Sequence, residues 1–355
     1  IYGESIHAVK FILEHGLKKI ILGEDPMDFQ RLWEKMYDST LYSCRRGGLA
    51  VSAISGVDVA LMDIVGKAQK VPVHKLLGGC YRDKVRVYAS DYFNMENPSI
   101  TIARAKRYVD QGFTAMKFGY GGFGRNLEKD VEVIEGIREA IGEDIDLMVD
   151  GALIYWRSVS HAIKMIRKFE KYNIYFIEEP LPVENIRGYA KLREAVNTRI
   201  AAGEHERTRY GFKDLMAREA VDVAQPDIAW VGGLSEAKKI ADMAHLWDVL
   251  LVPHEWSTAI NVVSGLHLVA SMPNGFLCEF PIGPRNPKAP LSAPPSPLIT
   301  ELLADPLEVK NGYIEVPKKP GLGIELNQET VKKYTYERDL GIVRYSFPEP
   351  RDIGY

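Results

Sequence analysis

The sequence predicts an α/β protein whose main part is a closed barrel of eight parallel strands. From about residue 84, short apolar runs alternate with helical stretches such as "LEKDVEVIEGIREAIG", whose apolar residues recur at i, i+3 and i+4. The runs are nearly continuous in apolar residues, which is typical of parallel strands buried on both faces. Eight of them fit the roughly 200 residues that a barrel needs, and no GxGxxG follows the first run, so a doubly wound open sheet is the less favoured alternative. The eight predicted strands are VRVYAS, FTAMKFG, DLMVDG, YFIEEP, RIAAGEHE, VDVAQPD, VLLVPHE and FLCEF.

The segments on either side of the predicted barrel, which spans residues 84–282, have different patterns. Residues 1–83 are dominated by helical patterns such as "LAVSAISGVDVALMDIVGKA". Residues 283–355 begin with a Pro-rich connector and continue into the strand and turn pattern "GYIEVPKKPGLGIEL". We expect the two ends to pack together as a second domain. The chain opens on Ile1 with no Met and no signal peptide, so we also expect the natural start to be missing.

Composition excludes several function classes. The chain has 355 residues, 46% of them hydrophobic and 26% charged, with a net charge of −3, so no broad basic surface predicts nucleic-acid binding. We expect no membrane span, because no apolar run approaches roughly 18 residues. The three cysteines (Cys44, Cys80 and Cys278) form neither a disulfide framework nor a CxxC metal site. This pattern predicts a cytoplasmic protein; a homo-oligomer is compatible with the sequence, which does not decide the oligomeric state.

Polar side chains end successive predicted strands. In order they are Lys117, Asp150, Glu178, Glu204, Asp227, His254 and Glu279. The carboxyl ends of barrel strands all open on one face, where active sites are built. Three successive carboxylates on that face repel one another unless a divalent cation neutralises them, and hard oxygen ligands favour Mg²⁺. We therefore predict Mg²⁺ on Asp150, Glu178 and Glu204, with Glu179 bracing the site.

The remaining strand ends predict acid–base chemistry. Asp227 and His254 end adjacent strands, where a carboxylate can orient an imidazole and raise its basicity. Lys117 is placed to bind an anionic oxygen or to move a proton, and His205, beside a predicted ligand, is a further candidate to line the site. A metal next to a base suits removal of a proton alpha to a carboxylate, since the resulting enediolate needs positive charge on its oxygens.

The whole set of motifs resembles the mandelate racemase branch of the enolase superfamily. The resemblance rests on "SGVDVALMDIVGKAQKVPVHKLLGG", "LMVDG", "FIEEP", "AGEHE", "QPDIAWVGGL" and "VPHEW" in this order. It implies a TIM-like (β/α)₇β barrel with an α+β capping domain built from both chain ends. It also implies Mg²⁺ on the three carboxylates, an Asp227–His254 dyad, and Glu279 hydrogen-bonding a substrate carboxylate oxygen.

One departure from the family pattern bears on the reaction. Racemases of the branch carry K-x-K on the second barrel strand, whereas here "MKFGYG" matches Lys117 to the first lysine and Gly119 to the second. The base on the opposite face is therefore missing, and Tyr120, one residue further on, should point to the other side of the strand. Some other dehydratases of the branch place a histidine two residues after the first ligand, where this chain has Ala152.

The motifs look most like those of rhamnonate-type dehydratases. The resemblance implies a Mg²⁺-dependent hydro-lyase that converts a sugar acid, such as an aldonate, to a 2-keto-3-deoxy acid. Alternatives are a racemase or epimerase of an α-hydroxy acid, a non-catalytic metabolite-binding relative, and a retaining glycosidase, which would need a carboxylate nucleophile in place of His254. Candidate substrate-binding residues are His205, Glu179, Trp256 and Arg46; Trp156 and Trp230 could also shape a pocket or pack in the core.

Overall fold

The computed structural model describes residues 5–40, 47–151, 158–284, 286, 288–293 and 295–334. The N-terminal part is helical in these residues and has its own apolar core, in which Trp33, Met36 and Tyr37 pack against Val51 and Ile54. Its elements are α1 (Ser5–Phe11), a π-helical turn (Ile12–Leu17), α2 (Lys18–Ile21), a 3₁₀ turn (Pro26–Asp28), α3 (Phe29–Ser39), α4 (Gly48–Gln69) and α5 (Val73–Leu76).

Helix α4 corrects one expectation from composition. It has 22 residues and is long and apolar enough to cross a membrane by length and composition alone. However, 56% of its apolar window is buried inside the protein, and its buried side chains include Ile54, Asp58 and Met62. A buried helix of this kind is typical of a protein core. The statement that no apolar run reaches a spanning length was therefore wrong, and packing accounts for the apolar residues.

Eight parallel strands alternate with helices after α5. The strands are β1 (Lys84–Tyr92), β2 (Ala115–Gly119), β3 (Asp146–Asp150), β4 (Ile174–Glu178), β5 (Arg199–Ala202), β6 (Val223–Ala224), β7 (Leu250–Leu251) and β8 (Leu277–Pro281). The helices are α6 (Pro98–Asp110), α7 (Leu127–Ile141), α8 (Val159–Phe169) with a 3₁₀ turn (Glu170–Tyr172), α9 (Ile186–Ala195), α10 (Thr208–Ala217), α11 (Ile228–Val231), α12 (Leu234–Leu246) and α13 (Ala259–Ala270).

The strands form the predicted (β/α)₇β barrel. Neighbours follow chain order from β1 to β7, and β8 pairs in parallel with β1. A single parallel bridge between Leu251 and Gly275 joins the remaining pair of edges. Inside, one buried side chain from each strand or its end forms a continuous layer: Tyr88, Ala115, Met148, Phe176, Ala201, Val223, Val252 and Leu277. Such a layer fills the interior, so the barrel is a packed core and its chemistry lies at the strand ends.

The C-terminal part returns to both the barrel and the N-terminal helices. It contains α14 (Pro297–Thr300), β9 (Tyr313–Glu315) and α15 (Gln328–Lys333). Strand β9 pairs antiparallel with the start of β1, so the expected strand of the second domain extends the barrel sheet instead. Further on, Gly321 bridges to Pro72, and the Leu322 N–H donates to Asp63 Oδ1 in α4 at 2.8 Å. The two chain ends therefore meet, while the boundaries at 83 and 282 stay predictions.

Candidate active site

The predicted metal-binding carboxylates lie at the carboxyl ends of neighbouring strands. Asp150 and Glu178 are the last residues of β3 and β4 and stand in register with each other. Glu204 follows β5 by two residues. All three are buried, with 6%, 1% and 7% of their surface exposed. The parallel register brings the three carboxylates to one end of the barrel, because the carboxyl ends of all the strands lie there.

Glu178 has one oxygen satisfied and one left over. Its Oε2 accepts from Lys117 Nζ and from Gln225 Nε2, both at 2.6 Å. Its Oε1 is buried and has no hydrogen-bond partner among the described residues. Burial, joined by the charge of Glu204, raises the pKa of Glu178 to about 7, against the opposing effect of Lys117. Buried acceptors are almost always paired, so this oxygen fits a cation that the protein itself does not supply.

Glu204 contacts two histidines. Its Oε2 lies 2.9 Å from His254 Nε2, and its Oε1 lies 3.4 Å from His205 Nδ1. His205 Nδ1 is also 2.6 Å from Glu179 Oε2. Burial lowers the pKa of His205, but the Glu179 carboxylate outweighs it and the pKa rises to about 9. Among the described residues, Glu179, Glu204 and His205 each offer a ligand atom within 4.8 Å of the other two. This group shares only Glu204 with the predicted trio.

Asp227 and His254, the two residues of the predicted dyad, lie in contact. Asp227 Oδ2 lies 2.7 Å from His254 Nδ1, and both residues are buried. Asn261 Nδ2 donates to Asp227 Oδ1 at 3.4 Å and to the His254 carbonyl at 3.3 Å. Burial lowers the pKa of His254, yet Glu204 and Glu279 outweigh this and raise it well above the usual value. The imidazole is thus fixed through Nδ1, which leaves Nε2 directed at the acidic end of the barrel.

Lys117 and Glu279 form a second charged pair, on the two strands that flank β1. Lys117 Nζ lies 2.9 Å from Glu279 Oε1, which also accepts from Ser90 Oγ at 2.6 Å. Glu279 Oε2 accepts from the Glu255 N–H at 2.8 Å, and Trp256 Nε1 donates to Ser90 Oγ at 2.7 Å. Burial opposes ionisation of Glu279, but Lys117 and His254 outweigh it, so its pKa is lowered. The carboxylate is therefore ionised and held on three sides.

Gly119 lies directly against a predicted metal ligand. A side-chain carbon at Gly119 would stand 2.6 Å from Asp150 Cβ and 2.8 Å from its Oδ2. The following residue, Tyr120, lies outside β2 and has φ +54°, so strand alternation does not decide where its ring points. Burial raises the pKa of Tyr120 well above its usual value, and the charges of Glu204 and Asp150 add to the effect. The alternation on which the expectation for Tyr120 rested therefore does not apply at this position.

The remaining predicted residues are only partly described by the structure, and three further residues at the site were not predicted. Arg46, Trp156 and Ala152 lie outside the described residues. Trp230 packs its ring 5.9 Å from that of His254, and the Arg207 guanidinium stacks on Trp230 at 4.9 Å. The sequence reasoning missed Gln225, Ser90 and Arg207. Gln225 could have been found, because it precedes Asp227 by two residues in "QPD" and period-two alternation places both on one face.

Comparisons with known proteins identify the family. Residues 101–330 match the enolase C-terminal domain-like family, and residues 1–78 match the mandelate racemase / muconate lactonizing enzyme N-terminal domain. An arabinonate dehydratase of Saccharolobus solfataricus is 35% identical over 94% of this chain and 86% of its own length. A D-galactarolactone cycloisomerase of Agrobacterium fabrum is 34% identical over 88% and 82%, and a D-xylonate dehydratase of Haloferax volcanii is 30% identical over 90% and 78%.

Solved structures agree with the sequence matches. The 3,6-anhydro-D-galactonate cycloisomerase of Zobellia galactanivorans is 35% identical, with a TM-score of 0.80 over 91% of this chain and 87% of its own. A racemase of Streptomyces coelicolor with bound magnesium is 29% identical, with a TM-score of 0.81 over 92% and 84%. Both the capping and the barrel parts of the chain are covered. The chain therefore belongs to the mandelate racemase / muconate lactonizing enzyme family of the enolase superfamily, in the branch that contains acid-sugar dehydratases.

Proposed function

We propose that this enzyme is a Mg²⁺-dependent sugar acid dehydratase, a hydro-lyase that converts an aldonate to a 2-keto-3-deoxy acid. The observation that carries the proposal is the unpartnered buried Oε1 of Glu178 on the same barrel face as the Asp227–His254 pair. The names of two relatives, arabinonate dehydratase and D-xylonate dehydratase, support the substrate class. The proposed substrate is a small sugar acid, and the proposed location is the cytoplasm.

Three carboxylates are proposed to hold the metal. Asp150, Glu178 and Glu204 supply hard oxygen ligands from successive strands, and the free Glu178 oxygen fits this donor set. When bound, Mg²⁺ would supply positive charge that stabilises an enediolate and would lower the pKa of His254. Glu179 is proposed to brace His205 beside these ligands through its contact of 2.6 Å.

The chain's own residues are proposed to move the proton and hold the substrate. His254 Nε2 takes the C2 proton, because Asp227 holds Nδ1 and so fixes the ring with Nε2 facing the acidic end of the barrel. Lys117, buried and cationic, is proposed to bind the substrate carboxylate. Glu279, ionised in the free enzyme, is proposed to take up a proton when the substrate binds and so to donate a hydrogen bond to an oxygen of that same carboxylate. Trp256 and His205 are proposed to line the pocket.

A single base is proposed to perform the whole reaction. Gly119 offers no side chain on the face opposite His254, and the raised pKa of Tyr120 keeps its phenol protonated, so it is not a base. His254 therefore removes the C2 proton and, as imidazolium, returns it to the departing C3 hydroxyl. Water leaves from one face, a syn elimination, and the 2-enol product tautomerises to the keto acid.

A cycloisomerase is the second candidate. Two proteins named as cycloisomerases are 34% and 35% identical to this chain. The same removal of an alpha proton could expel a ring oxygen in place of hydroxide, which opens a ring without loss of water. The two reactions differ in the form of the substrate, an open-chain acid or a cyclic one.

A substrate screen tests both candidates. Purified enzyme with Mg²⁺ is incubated with open-chain sugar acids, including arabinonate and xylonate, and with the corresponding lactones and anhydro acids. Products are followed by proton NMR, and His254→Asn serves as the control. We expect a 2-keto-3-deoxy acid from an open-chain acid in the wild type only. Product from cyclic substrates alone would favour the cycloisomerase, and turnover that survives in His254→Asn would contradict the proposed base.

A further inference from the structure

We propose that the capping helices hold the loop that carries Asp227, so that Trp33, Ser55 and Asp58 are positioning residues for the Asp227–His254 pair. This inference rests on the roles proposed above for Asp227 and His254. The contacts join side chains of α3 and α4 to the segment from the end of α11 to the start of α12.

Helix α11 ties the Asp227 carboxylate to a point one turn away. Asp227 is its N-cap, and Oδ1 accepts from the Ala229 N–H at 2.8 Å. Its carbonyl accepts from the N–H groups of Trp230 at 2.9 Å and Val231 at 2.7 Å. The helix ends at Val231, and Gly232 is its C-cap. A single turn has little stability of its own, so the direction of the carboxylate depends on what holds its far end.

The capping helices hold the far end of α11 by hydrogen bonds to both backbone polar groups of Gly232. Trp33 Nε1 donates to the Gly232 carbonyl at 2.7 Å, and the Gly232 N–H donates to Ser55 Oγ at 2.9 Å. Trp33 and Ser55 are fully buried. Hydrogen bonds to both the N–H and the C=O of one peptide residue fix its position and its orientation.

A third contact follows immediately along the chain. Asp58 Oδ2 accepts from the Ser235 N–H at 2.9 Å, and its Oδ1 accepts from Ser235 Oγ. Between these anchors lies Gly233, with φ +91°, where a side-chain carbon would collide with the Asp58 carboxylate. The capping carboxylate thus occupies the space that any other residue at 233 would need. Residues 232–235 are therefore held by three side chains from the capping helices.

Positioning of this kind affects rate more than binding. A general base works only within hydrogen-bond reach of its proton, and a displacement of about 1 Å can cost about 10²-fold in rate. The role inferred for the capping helices is therefore to maintain the 2.7 Å contact between Asp227 and His254. Loss of one anchor should loosen this contact without touching the substrate.

The test uses Trp33→Phe with a matched control. Phenylalanine removes the indole N–H but keeps an aromatic ring near Arg209 and Lys239. The charged groups of these residues lie 5.0 and 5.4 Å from the centre of the Trp33 ring. The control is Glu34→Gln, which removes an ion pair of 2.9 Å with Arg209 at the same interface and does not touch Gly232. With the sugar acid found in the screen, we expect kcat to fall about 10-fold with KM unchanged in Trp33→Phe only.

A double-mutant cycle separates positioning from general destabilisation. If Trp33 acts through Asp227, then Trp33→Phe should have no further effect on kcat in an Asp227→Asn background. If the double variant lowers kcat by the product of the two separate effects, the inference is overturned. Ser55→Ala serves as a second variant, because it removes the other hydrogen bond to Gly232 with little change in volume.

A spectroscopic readout makes the test independent of turnover. The Nδ1 proton of His254, shared with Asp227, should give a downfield proton NMR signal that is absent in His254→Asn. We expect this signal to shift or broaden in Trp33→Phe and Ser55→Ala and to stay unchanged in Glu34→Gln. An unchanged signal in folded Trp33→Phe protein would overturn the inference. If the screen finds no substrate, the proposed function is contradicted. The NMR signal can still be measured in that case, because it does not depend on turnover.

Discussion

The substitution Gly119→Ala tests how closely the second strand approaches the proposed metal site. The added carbon would stand 2.6 Å from Asp150 Cβ and 2.8 Å from Asp150 Oδ2. Carbon atoms in contact are normally about 3.5–4.0 Å apart, so the Asp150 side chain must move by about 1 Å. Asp150 is buried at the end of β3 and has little room to move away.

The expected cost has two parts. Forcing one extra carbon into a packed interior costs about 1–3 kcal/mol of folding stability. If Asp150 is a ligand, its displacement should also weaken Mg²⁺ binding, and an error of about 1 Å in a catalytic group can lower the rate about 10²-fold. The combination of a modest loss of stability with a large loss of metal affinity distinguishes a displaced ligand from a general packing defect.

Calorimetric Mg²⁺ titration and thermal unfolding of the metal-free protein measure the two parts separately. Gly56→Ala is the matched control, because Gly56 lies in α4 and no described residue outside its own helical turn is within 4 Å of an added carbon. Alanine there should stabilise the helix by up to about 1 kcal/mol and leave Mg²⁺ binding unchanged. Wild-type Mg²⁺ affinity in Gly119→Ala would refute the assignment of Asp150 as a ligand.

The remaining predictions concern the other proposed residues. Glu204→Gln should weaken Mg²⁺ binding and abolish turnover while the fold survives; a calorimetric titration that matches the wild type would remove Glu204 from the site. Asp227→Asn should lower kcat by about 10² or more with little change in KM, and steady-state kinetics at wild-type rates would eliminate the dyad. In D₂O, proton NMR should detect no C2 epimer of the substrate, whereas C2 exchange that persists in His254→Asn would reveal a second base. Burial lowers the pKa of His267 from 6.5 to about 4, so its contribution to stability is present above pH 6.5 and is lost as the pH falls through 4. The free energy of unfolding of the wild type, measured with denaturant, should therefore fall by about 3 kcal/mol more than that of His267→Gln between pH 6.5 and pH 4. Equal changes in the two proteins over this range would contradict the prediction.

The ring of strand-end residues could be predicted because two regular features determine it. Parallel strands separated by helices end on one face, and one polar residue closes each apolar run, from Lys117 to Glu279. The Asp227–His254 contact of 2.7 Å follows from the same regularity, since β6 and β7 are neighbours in the sheet. Periodicity did not extend to Tyr120, because β2 ends at Gly119 and the backbone then turns to positive φ.

The sequence by itself determined the order of the elements, the barrel and the identity of the residues at its acidic end. These follow from local patterns, because hydrophobic periodicity and chain connectivity act over one βα unit at a time. Only the tertiary structure decided which oxygen of Glu178 is left unpaired, that Glu204 lies between His205 and His254, and that Trp33 and Ser55 hold Gly232. These contacts join residues up to 199 positions apart, and side-chain partners at such separations depend on packing between elements, which no local pattern records.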